Sequence, residues 1–386
     1  MKIIGYETFI VAPRWGFLKI ITDEGIVGWG EPCLEGRTHT VHTCVDEMME
    51  YLIGKDPFDM ELHWNYLHRS TFYRGGPVMM SALSGIDQAL WDIKGKALGV
   101  PVYELIGGKC REKIKTYSWI GGDRPDDVVN MAKDRAEQGF TAIKMNGTDE
   151  LNFIDNYSKV DALLERVQSL RDAMGKDFGI GIDFHGRVHK PMAKILMREL
   201  EPMKPMFVEE PVLPEHFSES IHEIAQYGAI PIATGERLHS RWEFKELLKH
   251  GGVDIIQPDV CHCGGITELK KIASMAEAYD VALAPHCPLG AIALASSVHI
   301  DTTCQNAIIQ EQSVGIHYNQ GNDVLDYIKN KEVFQFENGY CLNLEGDGLG
   351  IEIDEEFMRE QDRKAQSLPA WRNPHWTHED GSFAEW

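Results

Sequence analysis

The sequence predicts an α/β protein: a modified (β/α)-barrel of the TIM type, with an N-terminal α+β capping domain completed by the C-terminal tail. Three observations predict it. From Lys115 onward, short apolar runs alternate eight times with amphipathic stretches of helical period. The runs end in ionisable residues at near-constant intervals. Ahead of them lies a segment of different texture, strands first and helices after.

In chain order, Lys2–Val11, Gly16–Thr22 and Gly25–Gly30 alternate as strands do, and Asp23-Glu24-Gly25 reads as a hairpin turn. Helical periodicity follows at about 38–53, 57–69 and 78–98. These elements define a capping domain over residues 1–115. The eight barrel strands are expected at Thr116–Ile120, Ala142–Asn146, Gly179–Phe184, Met206–Glu210, Ile232–Gly235, Ile255–Asp259, Ala282–Pro285 and Ile308–Gln312. Their apolar runs are continuous rather than alternating, as in parallel strands buried on both faces. Eight such units close a barrel over 116–324. An open doubly wound sheet is disfavoured because no Gly-x-Gly-x-x-Gly follows a strand. The tail, 325–386, breaks the repeat. Phe334–Phe336 and Tyr340–Asn343 read as strands, and the tail is expected to return to the capping domain.

Composition narrows the function. A hydrophobic share of 43% and a charged share of 25% describe an ordinary globular protein. A formal charge of −22 excludes nucleic acid as the expected partner, because there is no excess of cations to neutralise phosphates. An anionic substrate would then need local positive charge, which a bound cation supplies. With no signal peptide and no apolar run of membrane-spanning length, the expectation is a cytoplasmic protein without a membrane partner. A homo-oligomer is the expected assembly, as for many barrels. The eight cysteines form no disulfide framework, and Cys261-His262-Cys263 is too tightly spaced for a zinc site without a second pair.

In a barrel the chemistry sits where the strands end. Those ends carry Lys144 and Asn146, Asp183 and His185, Glu209 and Glu210, Glu236, Asp259, His286 and Glu311. From Asp183 to Glu209, Glu236, Asp259, His286 and Glu311 the steps are 26, 27, 23, 27 and 25 residues, one βα unit each. Burying so many carboxylates together is costly without a counter-charge. Asp183, Glu209 and Glu236 suit a hard, oxygen-preferring ion such as Mg²⁺. Asp259 and His286, on adjacent strands, suit a carboxylate that orients an imidazole. His39, His42, His63, His68, His222 and His250 fall in helical patterns and read as surface or packing residues.

Trp29-Gly30-Glu31, Ser84 through Lys96, Glu209-Glu210-Pro211, Gly235-Glu236-Arg237, Gln257-Pro258-Asp259 and Gly264-Gly265-Ile266-Thr267 resemble the mandelate-racemase branch of the enolase superfamily. Within it, Asp183 through Arg187, Ala284 through Gly290, Gln310 through Ser313 and the C-terminal Trp371 through Trp386 resemble sugar-acid dehydratases. The resemblance implies Mg²⁺-assisted removal of the proton α to a carboxylate, followed by loss of the β-hydroxyl. It implies Asp183, Glu209 and Glu236 as ligands, Asp259–His286 as the base at C2, and His185 as the acid on the departing 3-hydroxyl. Glu311 would hydrogen-bond the enediolate oxygen, which requires a shared or retained proton. Lys144, Asn146, Arg14 and the loop around Tyr73 would contact the substrate. Where racemases of the branch carry Lys-x-Lys, this chain has Lys144-Met145-Asn146, so a second base is missing. One His base implies a 2R sugar acid, galactonate first and gluconate as the alternative.

Overall fold

The computed structural model describes residues 1–385, the side chains of residues 216 and 217 excepted. At the N-terminus, β1 (Ile3–Val11), β2 (Trp15–Thr22) and β3 (Val27–Gly30) form an antiparallel meander. The helices α1 (Thr38–Leu52), α2 (Met60–Arg69) and α3 (Pro77–Leu98) belong with it. Alternation along β2 serves two cores: Leu18 and Ile20 join Val41, Val45, Ile86 and Leu90, while Trp15 and Phe17 join the larger core shared with the barrel. Glycines let α3 lie directly on β3. A Cβ on Gly30 would stand 1.8 Å from the Gly85 carbonyl oxygen, and one on Gly28 2.1 Å from that of Ala89.

After a short helix α4 (Val102–Leu105), eight parallel strands follow: β4 (Lys113–Ile120), β5 (Ala142–Asn146), β6 (Gly179–Asp183), β7 (Phe207–Glu209), β8 (Ile232–Thr234), β9 (Ile255–Ile256), β10 (Ala282–Leu283) and β11 (Gln310–Gln312). They pair in the order β10-β9-β8-β7-β6-β5-β4-β11. A bridge from Leu283 to Ala307 and a hydrogen bond of 2.9 Å from the Ile308 N–H to the Leu283 carbonyl join the two ends into a ring. Helices α5 (Val128–Glu137), α6 (Tyr157–Met174), α7 (Lys190–Leu200), α8 (Pro214–Ile224), α9 (Arg241–His250), α10 (Gly265–Ala278) and α11 (Ala291–Thr303) connect successive strands.

A buried cluster of Tyr117, Ala142, Phe207, Ala233, Ile255, Ala284 and Ile309 takes one residue from most strands. Because a strand repeats every two residues, Lys144, Glu209, Gln257, His286 and Glu311 stand on the same side as these residues, one step closer to the strand ends. The apolar layer is thus the floor, and the polar residues are the next layer up.

The tail does not return to the cap alone. β12 (Tyr340–Leu342) runs antiparallel to the start of β4, pairing Tyr340 with Lys115 and Leu342 with Lys113, where β4 extends beyond its parallel neighbours. α12 (Glu355–Ala365) does pack on β1: Asp362 accepts from the Ile10 N–H at 2.9 Å, and Arg359 meets Glu7 at 2.8 Å. The strand expected at Phe334–Phe336 is absent, and Lys331–Phe334 is a turn of 3-10 helix. Phe334 enters the core and Phe336 stacks at 4.9 Å on Phe140, so the two rings are anchored singly. Among the described residues, no helix is long and apolar enough to cross a membrane.

Candidate active site

The strand ends open into a cavity of about 850 Å³. Lys144, His185, Glu236, His286 and Glu311 line it, each from a different strand or the loop just after it. Register places the acids. Asp183 and Glu209 are paired neighbours on β6 and β7, and Glu236 stands two residues past the end of β8.

Lys144 is the hub. Its buried ammonium is 2.7 Å from Glu209 Oε1, 2.9 Å from Glu311 Oε1 and 3.2 Å from Asp183 Oδ2. Burial would lower its pKa, but the carboxylates, Glu209 foremost, hold it well above the usual lysine value. Burial also acts on the acids, with different results. It pushes Glu209 well upward, reinforced by the charge of Asp183. At Glu311 the upward push of burial is outweighed by Lys144 and His286, and its pKa falls below the ordinary range. That direction favours the carboxylate, whereas the role expected of Glu311 requires a shared or retained proton. Its Oε2 also accepts from the Cys287 N–H at 3.0 Å.

The two imidazoles differ. His286 Nδ1 is 2.8 Å from Asp259 Oδ2, and its Nε2 is 3.2 Å from Glu236 Oε2. Burial lowers its pKa, but Glu236 and the hydrogen bond to Asp259 raise it well above the ordinary value. His185 Nε2 is 3.2 Å from Asp183 Oδ2, and burial lowers its pKa against the pull of that carboxylate. Its backbone is left-handed at φ 47°, an unusual state for a non-glycine residue. The loop fixes it there: His185 N–H donates to Asp183 Oδ1 at 2.8 Å, and Arg237 donates to its carbonyl at 3.0 Å.

Asp183, His185 and Glu236 offer ligand atoms within 4.8 Å of one another. Glu209, the third ligand expected from the sequence, is turned to Lys144 and to Gln257, whose Nε2 donates to it at 2.6 Å. Two observations fit this donor set to a hard cation. Asp183 Oδ2 and Glu236 Oε2 are buried carboxylate oxygens that accept no hydrogen bond beyond their 3.2 Å ion-pair contacts with Lys144, His185 and His286, and burial beside Asp183 raises the pKa of Glu209, so the cluster is short of positive charge.

The expected substrate contacts divide. Arg14 lines the cavity, donating to Glu35 Oε1 and to the Pro288 carbonyl, both at 2.9 Å. Asn146 is fully buried beside Asp183 in register, with neither amide atom hydrogen-bonded, and is not part of the cavity wall. Tyr73 is 82% exposed, its ring against Phe72, and it is not among the residues that line the cavity. Gly75 and Gly76, which follow in the same loop, both take positive φ.

Sequence reasoning missed Glu35, His262, Tyr318 and Asn373, which also line the cavity. His262 Nδ1 is 2.9 Å from the Ser81 hydroxyl of α3, and its Nε2 is 3.6 Å from Glu35. These contacts join the cap to the barrel across 181 and 227 residues, separations that no local pattern reveals. Cys261 and Cys263, on either side, are buried.

The comparisons agree with this architecture. Residues 9–107 match the family described as mandelate racemase / muconate lactonizing enzyme, N-terminal domain, and residues 127–357 match enolase C-terminal domain-like. The chain belongs to the enolase superfamily, in its mandelate racemase / muconate lactonizing branch. It is 57% identical to a D-galactonate dehydratase of Pectobacterium atrosepticum and 56% identical to one of Cronobacter sakazakii, with 100% of both chains covered in each case. A crystal structure of an enolase from Agrobacterium radiobacter, with bound Na and L-malate, superposes with a TM-score of 0.90 at 32% identity, covering 100% of both chains. An enolase-superfamily member from Salmonella Typhimurium gives 0.86 at 32% identity, covering 93% of this chain and 98% of the other.

Proposed function

We propose that this chain dehydrates D-galactonate to 2-dehydro-3-deoxy-D-galactonate. The observation that carries the reading is the placement of the two imidazoles. His185 follows β6 and His286 follows β10, four strands apart in a ring of eight, so they reach the cavity from opposite sides. Full-length identity to the D-galactonate dehydratases supports the substrate.

Asp259 fixes His286 with Nδ1–H toward its carboxylate, which leaves Nε2 of the neutral ring to take the C2 proton; the Glu236 charge that raises the His286 pKa is one that a bound cation would offset. The electrons of the C–H bond move into an enediolate, whose collapse breaks the bond from C3 to its hydroxyl. His185, in the protonated form that the adjacent Asp183 carboxylate favours, donates a proton to that hydroxyl, which departs as water, and the resulting enol becomes the 2-keto acid by taking a proton at C3 and releasing its hydroxyl proton to solvent. Approach from opposite sides makes the elimination anti. Lys144, pinned by Glu311, offers its ammonium to the substrate carboxylate. Mg²⁺ held by Asp183, Glu209 and Glu236 would supply positive charge against that carboxylate and the enediolate, and would offset the crowding of buried carboxylates around it. With no second base at Asn146, racemisation is not supported.

A panel of acid sugars assayed for 2-keto acid tests the reading. Galactonate should lead, with activity lost to EDTA and restored by Mg²⁺. Preferential turnover of gluconate would move the assignment to that substrate, and binding without turnover of any acid would make the chain a sugar-acid binding protein.

A further inference from the structure

The C-terminal segment after α12 crosses the mouth of the barrel. Asn373 lines the substrate cavity, and Trp371 lies with Tyr318 around the Arg14 guanidinium. Farther on, the ring of Trp376 covers the Arg187 guanidinium, 4.3 Å from centroid to carbon, and also meets Arg124 at 5.6 Å. Arg187 is only 1% exposed and stands two residues after His185. It reaches across the strand ends. One guanidinium nitrogen donates to the Asp123 carbonyl at 2.9 Å and to the Thr148 carbonyl at 3.2 Å. These carbonyls belong to the loops that follow β4 and β5, so Arg187 ties the His185 loop to its two neighbours.

This tie matters because the His185 backbone is left-handed, a conformation that persists only when its surroundings dictate it. Two further guanidinium nitrogens of Arg187, Nε and Nη2, make no hydrogen bond, and Nη2 has only a loose ion pair with Asp123 Oδ1 at 3.8 Å, so its position is not fixed by hydrogen bonds alone. An aromatic face over a buried guanidinium adds a further constraint and excludes water from it.

We infer that Trp376 is a positioning residue for His185, acting through Arg187, so that the C-terminal segment is a working part of the acid half of the site. The inference rests on the proposed division of labour between the two histidines. It predicts a selective defect. Proton abstraction by His286, on the far side of the ring, needs nothing from Trp376, whereas hydroxyl departure through His185 does.

The experiment follows D-galactonate with Mg²⁺ in deuterated water, comparing deuterium washed into C2 of recovered substrate with 2-keto acid formed. In Trp376→Ala the ratio of exchange to elimination should rise at least ten-fold over the native enzyme, toward the behaviour of His185→Asn. Trp376→Phe, which keeps a ring face, should restore most of the native ratio. Trp376→Leu, similar in bulk to Phe but without a π face, should resemble Ala and provides the reading if Trp376→Ala does not fold. An unchanged ratio, whether both rates fall together or neither falls, overturns the inference. Absence of both exchange and elimination in the native enzyme overturns the proposed function instead.

Discussion

Asp259 Oδ2 holds His286 Nδ1 at 2.8 Å, while on the other side of the same ring Nε2 stands 3.2 Å from Glu236 Oε2. One carboxylate fixes the tautomer, and the other belongs to the acid cluster assigned to the cation. Asp259→Asn should therefore lower kcat by about 10²–10⁴-fold, the usual range for a disabled general base. Mg²⁺ affinity, measured by calorimetry, should stay near native. A parallel loss of metal binding would place Asp259 among the ligands.

The cluster of Asp183, His185 and Glu236 and the proposed ligand set of Asp183, Glu209 and Glu236 differ in one member. The proposed roles predict that Glu209→Gln and Glu236→Gln abolish Mg²⁺ binding in calorimetry, and that His185→Asn retains it. Loss of the metal in His185→Asn, with retention in Glu209→Gln, would exchange the two assignments.

Lys144 stands among three buried carboxylates, so removing it leaves charge uncompensated. Lys144→Met should cost about 3–5 kcal/mol, the scale for breaking a buried ion pair. Because a divalent cation supplies charge to the same group, Mg²⁺ should raise the melting temperature of Lys144→Met by more than that of the native protein. An equal increase in both would show that lysine and cation do not share the cluster.

His299 is fully buried on α11, and its Nδ1 accepts from the Tyr103 N–H at 3.3 Å. Burial lowers its pKa from 6.5 to about 4. Between those values the unfolded chain takes up a proton that the folded chain refuses. Its contribution to stability is therefore complete above pH 6.5 and is lost as pH falls toward 4, at about 1.4 kcal/mol per pH unit. Melting curves of His299→Gln should show a shallower loss between pH 6.5 and 4.5 than the native chain. An identical slope would refute the assignment.

The barrel strands and the site they carry were legible because each βα unit returns the chain to the same face of the ring, which spaces Asp183 through Glu311 almost evenly. The cap was legible from the alternation along β1 and β2. Other features depended on tertiary context. The pKa of Glu311 is lowered because Lys144 reaches it from β5, across the intervening β4, and Lys144 and Glu311 are 167 positions apart in sequence. Tyr73 was aromatic in a glycine-rich loop, and nothing in such a loop states which way it turns. Phe334 and Phe336 have strand spacing, but no strand among the described residues pairs with them. Glu35 and His262 meet only because cap and barrel pack together.

The division of labour between the two histidines is the central claim, and exchange at C2 tests it most directly. D-galactonate is incubated in deuterated water with Mg²⁺ and each variant, and deuterium at C2 is measured alongside 2-keto acid. The account predicts that His185→Asn exchanges C2 without forming product and that His286→Asn does neither. Exchange that persists in His286→Asn but is lost in His185→Asn would contradict it.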